Sequence, residues 1–113
     1  IAPLEPDNPF THAKSALKYW ETALIEVPTV ASPTEDFRLA IRHGETGFLA
    51  ASEQDWYGCL AHLVEDPVLR HRMGAAARED ALAHYSPEGQ VVEVVKQYLS
   101  LVETHGDPPE AER

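Results

Sequence analysis

A chain of 113 residues is one domain or less, and 43% hydrophobic with 25% charged residues is the composition of a globular protein rather than a disordered one. With 19 acidic against 9 basic side chains the formal charge is −10, which excludes nucleic acid or an anionic membrane as a partner of the whole surface, since both select clustered Lys and Arg. One cysteine, Cys59, excludes an internal disulfide and fits a reducing, cytoplasmic setting, and no apolar run approaches the roughly 18–20 residues that span a bilayer.

Pro3, Pro6 and Pro9 around Asp7 and Asn8 make the first ten residues an extended loop, with Ile1-Ala2 as the end of a strand. Opening on Ile1 without an initiator Met, the chain is expected to be cut from a longer one. Thr11 stands where an N-cap belongs, and Ala13, Leu17, Trp20, Leu24 and Val27 trace one apolar face of a helix near 12–26 that Pro28 stops. Thr29 to Ser32, short and β-branched, predicts a strand buried on both faces of a parallel sheet.

Thr34 caps a helix near 34–43, with Glu35 and Asp36 in its first turn and Gly44 as the residue that ends it. A second strand is expected near 48–50. Ser52 and Asp55 form a capping box with Asp in place of Glu for a helix near 53–65, whose buried stripe is Trp56, Leu60, Leu63 and Val64. Asp66-Pro67 starts a helix near 67–84 with Leu69, Met73 and Ala77 inward; Ser86-Pro87 starts the last, near 87–103, with Val91, Val94, Val95, Tyr98 and Val102 periodic. Residues 104–113, with Gly, two Pro and three acids, form a tail expected to be disordered beyond a 1–103 domain. Two strands with crossover helices are part of a doubly wound α/β sheet, and its open edge and uncovered apolar face favour a homodimer.

Chemistry concentrates on the first long helix. Thr11, Lys14, Lys18 and Glu21 share one face, and Thr11, Lys14 and Ser15 stand where first-turn N–H groups attract an anion. Two lysines with a helix start make a diphosphate site, and a carboxylate two to three turns on is placed to accept hydrogen bonds from ribose hydroxyls. The competing reading is a solvated face with a Lys18–Glu21 ion pair worth a few tenths of a kcal/mol. Cys59 and His62 are three apart on a helix, but there is no second Cys and no second His at ligand spacing, so no metal site is expected. Cys59 falls on the apolar side beside Leu60 and Leu63, where thiols are inert. Trp20 and Trp56 are core, and Gly44 and Gly47 are turn glycines rather than a phosphate loop.

A series of phrases then raises the odds of the diphosphate site. Asn8-Pro9-Phe10, Lys14-Ser15-Ala16-Leu17-Lys18-Tyr19-Trp20-Glu21, Val27-Pro28-Thr29-Val30-Ala31-Ser32, His43-Gly44-Glu45-Thr46-Gly47-Phe48-Leu49, Asp66-Pro67-Val68-Leu69-Arg70 and Met73-Gly74-Ala75-Ala76-Ala77-Arg78 follow in order. Across most of residues 8 to 101 the chain resembles the C-terminal, donor-binding lobe of family 4-type glycosyltransferases of the GT-B fold (glycosyl transferases group 1). The resemblance implies a partial Rossmann-like lobe, nucleotide-sugar binding, and retaining transfer without metal or other cofactor. It places Glu21 on the nucleotide ribose and Lys18, Ser15 and Lys14 near the diphosphate or donor sugar. It assigns no catalytic residue to this chain: the acceptor lobe, meeting a glycan or lipid-linked acceptor, and a basic residue on the donor phosphates would lie upstream. Two departures stand out. Ala13 occupies the place of the family's first glutamate, eight before Glu21, and Glu26 replaces the glycine before Val27-Pro28.

The sequence therefore predicts a glycosyltransferase fragment, inactive in isolation and cytoplasmic, in a parent that is cytoplasmic or membrane-peripheral. Two other readings compete: a non-catalytic acidic α/β interaction module derived from such a lobe, and an acidic helical adaptor unrelated to sugars.

Overall fold

The structure, a computed structural model, describes residues 1–5 and 7–105. Its elements are α1 (Pro9–His12), α2 (Leu17–Leu24), β1 (Thr29–Ala31), α3 (Glu35–Ala40), β2 (Gly47–Leu49), α4 (Glu53–Glu65), α5 (Pro67–Tyr85) and α6 (Pro87–His105). β1 and β2 run parallel, pairing Thr29 with Gly47, Val30 with Phe48 and Ala31 with Leu49, and α3 crosses between them. On the other side of β1, Ala2 forms a parallel bridge with Ala31: its N–H donates to the Val30 carbonyl at 2.8 Å, and its own carbonyl accepts from Ser32 at 3.1 Å. β1 thus lies between two neighbours and is buried along its whole length, as its run of small and β-branched residues predicts.

Two clusters flank this strand. Ala16, just before α2, and Tyr19 and Ala23 within it pack with Phe37, Ala77 and Ala81 on one side, and Val30, Ala50, Leu63 and Met73 close the other. α5 contributes to both, so it is the beam across the layer. Its own start follows the sequence: Asp66 accepts from the Leu69 N–H at 2.9 Å, and Pro67, lacking an N–H, fits the first helical position. The capping box of α4 also forms. Ser52 Oγ accepts from the Asp55 N–H at 3.1 Å, and Asp55 accepts from the Ser52 N–H at 2.9 Å. These backbone donors hold the Asp55 carboxyl below the usual carboxylate range.

The helix expected near 12–26 is two helices with a break over residues 13–16. Asn8, not Thr11, caps the first, accepting from the Phe10 N–H at 3.0 Å. The Thr11 hydroxyl donates instead to the carbonyls of Glu5 and Asn8, tying the loop to α1. Pro9 starts helical turns earlier than the apolar period does, and the turn closes at Ala13 before α2 begins.

The buried face of α2 also differs from expectation. Leu17, Leu24 and Val27 are exposed, while Ala16, Tyr19 and Ala23 are buried and Trp20 lies between. α5 presents Ala77 and Ala81 to α2, and two small stripes approach more closely than a leucine stripe allows. Val64 of α4 is exposed as well, leaving Leu63 with the half-buried Trp56, Cys59 and Leu60 inward. On α6 the periodic residues are all exposed.

α3 ends at Ala40, short of the expected 43, because the next residues form a tight turn. The Arg42 N–H donates to Thr46 Oγ1, and the Arg42 carbonyl accepts from the N–H groups of Glu45 and Thr46, each at 3.0 Å. Gly44 sits inside that turn at φ 82° rather than at the helix end. Thr34 takes the extended N-cap conformation, but its buried hydroxyl makes no cap bond. α6 runs to His105, two residues into the expected tail, and residues 106–113 lie outside the described residues.

Glu26, in the place of a glycine, makes the turn into β1 with φ 59°, a left-handed conformation that costs a residue with a Cβ roughly 1–2 kcal/mol. Its carboxylate is held by Arg78 Nη1 at 3.1 Å, and its carbonyl lies so close to Gly74 that a Cβ there would overlap it. Glu26→Gly should therefore raise stability by no more than about 1 kcal/mol, the relief of φ strain being partly offset by glycine's entropy and by loss of the half-exposed Arg78 ion pair. Gly74→Ala should lower it by about 1–3 kcal/mol through overpacking against backbone. Urea melts of the two variants check both signs.

Candidate donor site

The break between α1 and α2 brings the sequence-predicted residues to one place. Lys14, Ser15 and Lys18 line a cavity of about 300 Å³ together with Ala2, Leu4, Leu17 and Phe37. Leu4 follows Ala2 past the end of β1, and Ser32 fixes it there, its hydroxyl accepting from the Leu4 N–H at 2.7 Å and donating to the Leu4 carbonyl at 3.0 Å. The cavity therefore opens beyond the carboxyl end of the sheet, where open α/β sheets bind their ligands.

Its lining carries two cations and no acid. Among the described residues no carboxylate lies within ion-pair distance of Lys14 or Lys18, in a chain of formal charge −10. The Lys14 ammonium lies 5.3 Å from the centre of the Phe10 ring, a cation–π contact that orients the side chain and leaves its charge uncompensated. Phe10, exposed at the tip of α1, makes a contact that periodicity does not reveal; only its place after Asn8-Pro9 signals it.

At the start of α2, Ala16 supplies no side-chain cap, so the first-turn N–H groups have no side-chain acceptor. Glu21 stands apart. It is exposed on α2, one turn beyond Lys18, and outside the cavity's lining; no ion pair joins it to Lys18 among the described residues. The expected single stripe from Thr11 to Glu21 is thus divided. Thr11 is buried in loop contacts, Lys14 and Lys18 line the cavity with Ser15, and Glu21 is exposed outside it.

The sequence of the chain matches the model of the glycosyl transferase-like family over residues 6–96. The chain belongs to that family. Its two short parallel strands and six helices, counted among the described residues, are the α/β arrangement of a partial Rossmann-like lobe, and the chain is a glycosyltransferase group 1-type fragment. No curated protein matches it. The match spans the cavity lysines, Ser15 and Glu21, so the site lies inside the family region.

A second cluster of charges is built differently. Asp80 of α5 is buried, and its carboxylate receives Arg42 Nη1 at 2.7 Å and the Tyr19 hydroxyl at 3.3 Å, with His84 Nδ1 also 3.3 Å away. Burial pushes the Tyr19 phenol above its usual range, keeping it a donor, while hydrogen bonds to Glu45 and Asp80 push Arg42 further up. These groups are spent on one another and tie α2, α5 and the turn before β2 together. His43 serves that turn's far side: its Nδ1 accepts from the Leu49 N–H at 2.9 Å, and its ring meets Phe48 edge-on. Cys59 is half-buried and burial raises its thiol above the usual range, so it is a weak nucleophile. Among the described residues no three His, Cys, Asp or Glu side chains stand close enough to share a metal.

The two clusters should separate in stability measurements. Lys14→Ala and Lys18→Ala should each change unfolding free energy by less than about 0.5 kcal/mol, because both side chains are exposed and unpaired. Arg42→Ala should cost about 1–3 kcal/mol, since it leaves the buried Asp80 carboxylate without its nearest cation. Chemical denaturation at neutral pH distinguishes them.

Proposed function

We propose that this chain is the nucleoside-diphosphate-sugar-binding part of a retaining, metal-independent GT-B glycosyltransferase, and that Lys14, Ser15 and Lys18 hold the donor diphosphate. The observation that carries the reading is the pair of uncompensated lysines lining a cavity at the carboxyl end of the sheet, in an otherwise acidic chain. In sugar transfer the bond between the anomeric carbon and the diphosphate oxygen breaks, and negative charge grows on the leaving diphosphate. Two ammonium groups and free helix-start N–H groups stabilise that charge without a metal ion. Glu21, one turn past Lys18, accepts hydrogen bonds from the ribose hydroxyls. The acceptor, a glycan or lipid-linked molecule, is held by a further lobe, so this chain alone does not complete transfer. A cytoplasmic location, where Cys59 stays reduced, and a homodimer of the chain belong to the same proposal.

The test is titration of UDP, GDP and ADP into the chain, followed by amide shifts along residues 11 to 21. One or two charge-assisted hydrogen bonds contribute on the order of 1.5–3 kcal/mol each, and an open site realises only part of that. Dissociation constants should therefore be about 0.1–10 mM. Lys18→Ala should weaken binding about tenfold or more, and Glu21→Ala should remove the preference for a ribose diphosphate over inorganic pyrophosphate. Absence of shifts at millimolar nucleotide, or equal binding of pyrophosphate by the unmutated chain, would overturn the donor reading.

A further inference from the structure

We draw no further inference here: the strongest candidate, the cavity of about 370 Å³ that Leu4, Pro33, Ala51 and Trp56 line past the ends of β1 and β2, adjoins the lysine-lined cavity through Leu4, and nothing in the structure shows whether a small molecule or the parent's further lobe covers it.

Discussion

The Asp80 carboxylate is the constraint on which the arrangement of layers depends. A charge held at 6% side-chain exposure is tolerated only if its oxygens are taken up by donors, and here they receive a guanidinium from the turn before β2 and a phenol from α2. Each donor arrives from a different element. Satisfying one acid therefore fixes the rotation of α2 about its axis, the position of α5 over the sheet, and the turn that delivers β2 beside β1. The apolar packing around it is made of small residues, Ala16, Ala23, Ala77 and Ala81, which bring backbones close and specify little by shape alone. Direction comes from the polar cluster and proximity from the alanines.

This division explains which parts of the fold were legible in the sequence. β1, α4 and α5 follow local rules that act within a few residues: a β-branched run between prolines, Ser52 answering Asp55, and Asp66 before Pro67. Each forms where those rules put it. α2 does not, because it carries two stripes, and the larger leucine stripe is not the one α5 can accept. The choice between them is made by Ala77, Ala81 and Asp80, more than fifty residues away. Nothing local marks Asp80, the second of two adjacent acids in an alanine-rich stretch of α5. The end of α3 failed for a related reason: Gly44 signals a helix end by type, but the Thr46 hydroxyl captures the Arg42 N–H and closes the turn earlier.

Of the candidate site, the sequence named the residues that line the cavity but not the way they come together. Lys14 and Lys18 were expected on one helix face with Thr11 and Glu21, and Ser15 in the first turns beside them; Lys14, Ser15 and Lys18 line the cavity instead across a break, with the first two in the linker and the third inside α2. The break follows from Asn8 and Pro9, which start a helical turn too early to merge with the next. It also changes what the residues can do. On a continuous helix Lys14 and Lys18 would project side by side along a ridge. Displaced onto a turn, Lys14 swings over Phe10, and the two chains frame a concave space whose floor is Ala2, Leu4 and Phe37.

The buried polar cluster and the lysines of the cavity meet in α2. Tyr19 faces inward to Asp80 while Lys18, its neighbour, faces the cavity, so the polar core clamps the helix that carries one lysine. Lys14 and Ser15 have no such anchor. They are held by a turn, a cation–π contact, and the attachment of Leu4 to Ser32 on the opposite wall. One wall of the cavity is thus fixed through the buried cluster and the other through turn and loop contacts alone, so the two lysines that line it belong to separately anchored segments.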